Sequence, residues 1–98
     1  MTRHFHPAAR DELVATVDYY EEALPGLGLR CRDAVLAAVG RAEAYPNSGR
    51  QGLAGSRRHL ISGFPYDLVY RMRGEVLEIL AIAHTSRRPG YWRDRTTL

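Results

Sequence analysis

Residues 57–84 constrain the fold most, because they contain the longest apolar runs of the chain and its clearest hairpin turn. Residues 76–83, which read VLEILAIA, are apolar at nearly every position, as in a strand buried on both faces. Residues 68–72 also favour a strand, with Leu68, Tyr70 and Met72 on one face. Gly74 separates the two runs and can adopt the positive φ of a tight turn. With a shorter strand over about 57–61, this stretch predicts three consecutive antiparallel strands.

Two amphipathic helices are predicted before this sheet. Apolar residues at helical spacing place the first over about 7–23, beginning at Pro7, and the second over about 27–45. The short segment between them, PGLG, predicts an antiparallel hairpin. The predicted buried positions are Ala9, Leu13, Val17, Tyr20 and Leu24 in the first helix, and Leu27, Cys31, Ala34, Val35, Ala38, Ala42 and Tyr45 in the second. We interpret Gly40, which costs about 1 kcal/mol in a helix interior relative to Ala, as a point of close packing.

The order of these elements predicts an α+β fold. Residues 2–6 are interpreted as a short edge strand, and residues 46–55 as a surface loop. We expect an antiparallel sheet of three C-terminal strands plus the N-terminal edge strand, covered on one face by an αα-hairpin. A chain of 98 residues allows one domain, 1–98, with the helical hairpin over about 7–45, the sheet over about 56–84 and a tail over 85–98.

Composition narrows the chemistry and the compartment. All fourteen cationic side chains are Arg, so no Lys is present to act as a general base or Schiff-base former. No apolar run is long enough to span a membrane, residues 1–13 contain no apolar signal region, and the single cysteine cannot form an internal disulfide. We therefore expect a cytoplasmic protein. Residues 50–98 contain nine Arg and four acidic residues, which points to a polyanion or an acidic protein partner, although a solvated basic surface explains the charge equally well.

Few residues indicate a catalytic or metal site, and we expect no cofactor. No phosphate-binding loop, zinc-protease motif or nucleophile-elbow motif is present. His4 and His6 alternate on the predicted edge strand, but two histidines without further ligands indicate a metal site only weakly. Cys31 lies on the buried stripe and is interpreted as a core residue. His84, at the end of the longest strand, either reaches a substrate or orients the tail by hydrogen bonding.

Cationic side chains should cluster on the face of the sheet away from the helices. Arg71 alternates with Tyr70 and Met72, so it should point away from the core that they face. Tyr91 and Trp92 add flat rings to the same area. Such a surface could bind phosphates and stack bases, or it could be a protein-binding hot spot, and the sequence leaves both open. The predicted target-binding residues are Arg57, Arg58, Arg71, Arg87, Arg88, Tyr91, Trp92 and Arg93.

An ordered set of short segments runs through almost the whole chain. The segments are Tyr19-Tyr20-Glu21, the PGLG connection at 25–28, Arg57-Arg58, Phe64-Pro65-Tyr66, Val69-Tyr70-Arg71, His84 and the RRPGYW run at 87–92. Together they resemble the ParE/RelE superfamily of toxins from bacterial type II toxin–antitoxin modules. The resemblance implies a small sheet covered by a helical hairpin. It also implies a cognate antitoxin that wraps and neutralises the toxin.

The superfamily has two branches, and the resemblance implies a different target for each. RelE-like toxins cut messenger RNA on the ribosome, using cations and a terminal Tyr or His, whereas ParE-like toxins poison DNA gyrase without a nuclease site. Asp67 replaces an Arg that RelE-like proteins commonly have, and a carboxylate there would repel the scissile phosphate. The chain also lacks the Lys that RelE-like enzymes use. The residues left for a nuclease would be Arg58, His84, Arg87 and Tyr91.

The ParE branch is therefore our leading hypothesis. It describes a toxin that binds an acidic antitoxin in a hetero-oligomer and acts on DNA gyrase when freed. A ribosome-dependent endoribonuclease and an inactive partner that only sequesters an antitoxin are the alternatives. The antitoxin should lie along the helical hairpin and the sheet edge, as an added strand or as a helix in a groove. The predicted antitoxin-binding residues are Leu13, Val17, Tyr20, Phe64 and Tyr66.

Overall fold

A computed structural model describes residues 2–96 of the chain and confirms the predicted α+β class. In chain order the elements are β1 (Thr2–Phe5), α1 (Pro7–Ala23), α2 (Leu27–Ala44), β2 (Arg50–Gln51), β3 (Arg57–Leu60), β4 (Tyr66–Arg73) and β5 (Val76–His84). Short 3-10 turns occupy Leu53–Gly55 and Arg93–Thr96. Both helices and the strands β3, β4 and β5 lie close to their predicted positions. Within residues 2–96, no helix combines the length and apolarity needed to cross a membrane.

The five strands form one mixed sheet in the order β1-β5-β4-β3-β2. Strand β1 runs parallel to β5, while the other three pairings are antiparallel. The sequence placed β1 correctly at an edge, but its four residues carry no signal for strand direction. Part of the predicted surface loop also belongs to the sheet, because Arg50 and Gln51 pair with Arg58 and Arg57.

Strand β5 is buried on both faces, as its unbroken apolar run predicted. Gly74 has a φ of 62° in the turn that joins it to β4. A bulge interrupts the pairing, since Val69 pairs with Ala81 but Tyr70 pairs with Ile79. The extra residue, Leu80, turns to the face away from the helices, where it packs in a second core.

Each face of the sheet therefore has its own core. The core under the helices contains Ala9, Val35, Ala38, Val39, Ala42, Ile61, Leu68, Tyr70, Leu77, Ile79 and Ile82. The core on the opposite face contains Val69, Leu80, Ala81, Ala83 and Trp92. Because Trp92 follows β5 and folds back on it, the C-terminal segment covers part of the face that was expected to be free. The expectation that the whole of this face is exposed and carries guanidinium groups is therefore wrong: part of it is a packed core, and beside that core lies a cleft.

The positions that were predicted to be buried in the helices are buried or half-buried, except at the C-terminal end of each helix. Leu24 is 52% exposed and Tyr45 is 70% exposed, so their predicted burial is wrong. Both are C-cap residues with extended or irregular backbone, so they no longer follow the helical spacing on which the prediction rested. Val39 is fully buried in the second helix instead.

The two helices approach each other closely at Gly28, and the interpretation of Gly40 is wrong. A Cβ added at Gly28 would lie 2.7 Å from the carbonyl oxygen of Val17, whereas one at Gly40 would have no neighbour within 4 Å. Beside this contact, the carboxylate of Glu21 accepts hydrogen bonds from the backbone N–H groups of Gly26 (2.9 Å) and Gly28 (3.0 Å). Glu21 thus satisfies two N–H groups that the start of α2 would leave without partners.

Replacing these two glycines by alanine should have opposite effects. Gly28→Ala should lower the free energy of unfolding by about 1–3 kcal/mol, because its Cβ would push backbone atoms of α1 aside. Gly40→Ala, the matched control, should raise it by about 0.5–1 kcal/mol, since Ala restricts the unfolded chain and fits the open helix surface. Urea unfolding of both variants measures the difference. Equal effects would contradict the close approach at Gly28.

Candidate functional site

A cleft of about 440 Å³ opens on the sheet face opposite the helices. Its floor is apolar, formed by Val69, Ala83 and Trp92. Residues 51–53 form one wall, and the other is formed by the end of β5 and the segment that follows it, residues 84–85 and 87–91. The two walls meet where Leu53 reaches Gly90, at which an added Cβ would lie 2.9 Å from the Leu53 Cδ1. The shape of the cleft therefore depends in part on the contact between these two loops.

Three of the predicted target-binding cations lie in this cleft. Arg58 faces it because its strand partner is Val69, which lies on the same side of the sheet. Arg58 and Arg88 are exposed, and their guanidinium groups have no hydrogen-bond or ion-pair partner within residues 2–96. The Arg87 guanidinium lies over the Tyr91 ring, 3.8 Å from its centroid, in a cation–π contact. Two guanidinium groups are thus free for an anionic partner.

The other predicted cations lie elsewhere, so the expectation of one cluster is wrong. Arg57 pairs with Tyr70, which places it on the helix side. Its Nη1 donates to the carbonyl oxygens of Asn47 (3.0 Å) and Gly49 (2.9 Å), so it supports the loop after α2. Arg93 is exposed at the start of the last 3-10 turn and does not line the cleft. Whether either residue binds a target stays a prediction.

Arg71 faces away from the helices as predicted, but a buried carboxylate holds it. Its Nε donates to Glu78 Oε1 at 2.7 Å, and its Nη2 donates to the carbonyl oxygen of Thr96 at 3.0 Å. Glu78 is 4% exposed, and Arg73 approaches its other oxygen at 3.9 Å. Arg71 therefore connects strand β5 to the C-terminal segment through hydrogen bonds.

Neither predicted aromatic residue presents a free ring. Trp92 is 7% exposed and packs in the second core, where it fastens the C-terminal segment to the sheet. The Tyr91 hydroxyl donates to Glu12 Oε2 at 2.7 Å, and its ring is covered by Arg87 and approached by Arg95 at 5.2 Å. Burial, together with the hydrogen bond to Glu12, raises the pKa of Tyr91 well above its usual range. Tyr91 therefore remains a neutral hydrogen-bond donor near neutral pH.

Glu12 holds a network that the sequence did not indicate. Its Oε1 accepts from Arg95 Nη1 (2.8 Å) and from the Ile82 N–H (3.1 Å), and its Oε2 accepts from Arg95 Nη2 (3.0 Å). Arg95 Nη1 also donates to the Leu80 carbonyl at 2.9 Å. Strand β1 pairs with β5 only as far as Ile79, so these two side chains satisfy backbone groups further along that edge. Glu12 and Arg95 thereby supply hydrogen bonds that a continued β1 would otherwise make to β5.

Asp67 and His84 also belong to the polar lining of the cleft. The Asp67 side chain is half-buried and has no hydrogen-bond or ion-pair partner among residues 2–96. His84 Nδ1 accepts from the Ser86 N–H at 3.0 Å, and its ring packs edge-on against Tyr66 at 5.0 Å. Since Nδ1 is an acceptor there, the ring proton lies on Nε2. These contacts favour the interpretation that His84 orients the tail.

A second, more open groove of about 660 Å³ lies between the helical hairpin and the turn from β3 to β4. Its lining residues are Tyr20, Leu27, Arg30, Asp33, Ala34, Ser62, Gly63, Phe64 and Pro65. Tyr20 packs edge-on against Phe64 and Tyr66, with ring centroids 4.9 and 6.3 Å apart. Two of the predicted antitoxin-binding residues, Tyr20 and Phe64, thus line the groove. Leu13, Val17 and Tyr66 are half-buried, with Leu13 and Tyr66 packed against the core under the helices.

The remaining candidates from the sequence have structural contacts. His6 Nδ1 accepts from the Ala8 N–H at 3.1 Å, so His6 caps α1. His4 is exposed, and residues 2–96 contain no group of three or more metal-ligating side chains. Cys31 is 1% exposed, which confirms it as a core residue, and burial raises the pKa of its thiol.

The fold and the cleft define a small α+β domain with free guanidinium groups on one sheet face and an apolar groove beside its helices. The chain belongs to the ParE toxin family: the model of the family described as "ParE toxin of type II toxin-antitoxin system, parDE" matches residues 4–89. It is therefore a toxin of a type II toxin–antitoxin system, as the sequence predicted. A solved chain from "Chromosomal ParDE TA system from P. aeruginosa" shares the fold, with a TM-score of 0.74 and 22% identity over 86% of this chain and 95% of that chain. No protein with a curated description matches significantly.

Proposed function

We propose that this toxin is neutralised by a cognate antitoxin and acts on DNA gyrase when it is released. The observation that carries this proposal is the family match over residues 4–89, because gyrase is the target that the resemblance to ParE-like toxins implies. The cleft supports it, since Arg58 and Arg88 are available to an acidic surface. A toxin that works by binding needs such a surface and no acid–base pair.

The alternative, a ribosome-dependent endoribonuclease, has less support from the geometry. The Tyr91 hydroxyl donates a hydrogen bond to Glu12 and its pKa is raised, so Tyr91 stays protonated and is unsuited to act as a general base. Asp67 would repel a phosphate in the cleft, and His84 already uses Nδ1 in a bond to the tail. Of the residues proposed for RNA cleavage, Tyr91, His84 and Arg87 thus make contacts within the protein that stabilise the C-terminal segment.

The antitoxin is proposed to bind the groove beside the helices. An amphipathic segment could place apolar side chains against Tyr20 and Phe64 and a polar edge near Arg30 and Asp33. This groove and the cleft lie on opposite sides of the sheet. Antitoxin and target would accordingly make their main contacts on different surfaces.

A supercoiling assay tests the proposal. Purified toxin added to gyrase, ATP and plasmid should reduce supercoiling and trap cleaved DNA, and cognate antitoxin should reverse the effect. Arg88→Ala should weaken inhibition at least about fivefold, because Arg side chains are frequent hot spots in interfaces. Arg10→Ala, which removes the same charge from the exposed surface of α1, should inhibit like the unmodified toxin.

Other outcomes separate the alternatives. Unchanged supercoiling without trapped DNA would contradict a gyrase target. Codon-spaced cuts in translated messages, lost in Arg58→Ala or Tyr91→Ala, would indicate the endoribonuclease. Unaffected growth after induced expression would indicate a protein that only sequesters an antitoxin.

A further inference from the structure

The cleft combines chemical features that restrict what it can hold. Two unpaired guanidinium groups, those of Arg58 and Arg88, stand at its rim above an apolar floor. Leu53, 44% exposed, projects from one wall, and its neighbour Ala54 has a left-handed backbone with a φ of 56°. A non-glycine residue in that conformation costs of the order of 1–3 kcal/mol and is found preferentially at functional sites. The wall is therefore held in an unfavourable conformation beside the free cations.

The same features disfavour a nucleic acid in this cleft. Proteins that bind single strands combine cations with exposed rings on which bases stack. Here the Tyr91 ring is covered by Arg87, and Trp92 is 7% exposed. Asp67 would also face the phosphates without a cation of its own to neutralise it. A polypeptide suits the cleft better, because its backbone N–H groups can donate to that carboxylate.

We propose that the cleft binds a short, extended, acidic segment of the protein target. Its carboxylates would pair with Arg58 and Arg88, and an apolar side chain between them would pack on Leu53 and Trp92. Asp67 would accept a backbone N–H of the segment. The inference rests on the proposed function, since it names the part of the target that this surface recognises.

Trp92, the only tryptophan of the chain, reports on binding in the cleft directly. The probes are acetyl-GELEFEG-amide, its uncharged analogue acetyl-GQLQFQG-amide, and an oligouridine of matched charge. The acidic peptide should change Trp92 emission and bind more tightly than the other two. Its affinity should fall about fivefold in Arg58→Ala and in Arg88→Ala, the upper range for an exposed ion pair, and stay unchanged in Arg10→Ala. Raising the salt from about 50 mM to about 300 mM should weaken it in the unmodified protein.

Each remaining outcome decides against a specific statement. Tighter binding of the oligouridine would assign the cleft to nucleic acid and overturn the inference. Acidic-peptide binding that is insensitive to both arginine replacements would place the peptide elsewhere and overturn it too. If the peptide fails to bind while Arg88→Ala still weakens gyrase inhibition, the inference fails and the proposed function stands. If the peptide binds in an arginine-dependent manner and gyrase is unaffected, the target proposal fails and the peptide specificity stands.

Discussion

Replacing Glu12 by alanine should reduce the free energy of unfolding by about 3 kcal/mol. The variant leaves the Arg95 guanidinium, the Tyr91 hydroxyl and the Ile82 N–H without the acceptor that all three share. The Arg95 and Glu12 side chains are 16% and 19% exposed, so water replaces the lost bonds only in part. A domain of this size has a total stability of about 5–15 kcal/mol, so the loss would be a large fraction of it.

Urea unfolding, followed by circular dichroism, measures this loss. Glu22→Ala is the matched control, because Glu22 is an exposed carboxylate on the same helix without a partner among residues 2–96. Its effect should stay within about 0.5 kcal/mol. If the two variants lose equal stability, the Glu12 network does not hold the C-terminal segment to the sheet.

The sequence predicted the elements well because their signals are local. Pro7 and the apolar repeat define α1, and Gly74 between two apolar runs defines the β4–β5 hairpin. The direction of β1 and the pairing of β2 depend instead on where distant segments meet. The bulge that turns Leu80 outward also leaves no mark in an apolar run, since either face accepts an apolar side chain.

The candidate site was predicted by residue type but less well by position. Alternation along β3 separates Arg57 from Arg58, and the same parity rule that placed Arg71 would have found this. Glu78, an acid within an apolar strand, was a signal that a neighbouring cation would be needed inside the protein. Arg71 is that cation: it forms an ion pair with Glu78, so its guanidinium is not available to a target.

The Glu12 network was beyond any local pattern. Glu12 and Arg95 are 83 positions apart, and each residue alone is typical of an exposed surface. Glu12 lies inside an amphipathic helix that carries several other charged residues, which gives no reason to look for a distant partner. Only the early end of β1 creates the unpaired backbone groups that Glu12 and Arg95 satisfy.

Replacing Trp92 by alanine should cost about 3–5 kcal/mol, the range for truncating a large buried aromatic side chain. The indole closes the second core, so its loss would expose Val69, Leu80 and Ala81 to water. Tyr45→Ala is the control: the sequence predicted Tyr45 as buried, but it is 70% exposed, and its removal should cost about 0.5 kcal/mol or less. Urea unfolding followed by circular dichroism measures both.

This comparison also decides how a loss of toxicity should be interpreted. Trp92 and Arg88 both line the cleft, so an activity assay alone would assign both to target binding. Trp92→Ala should lose activity and stability together, whereas Arg88→Ala should lose activity and keep its stability, because Arg88 is exposed and has no partner within residues 2–96. A Trp92→Ala variant that is stable but inactive would contradict the place of Trp92 in the core. It would indicate instead that the indole contacts the target. Equal stability of the Trp92 and Tyr45 variants would contradict the second core itself.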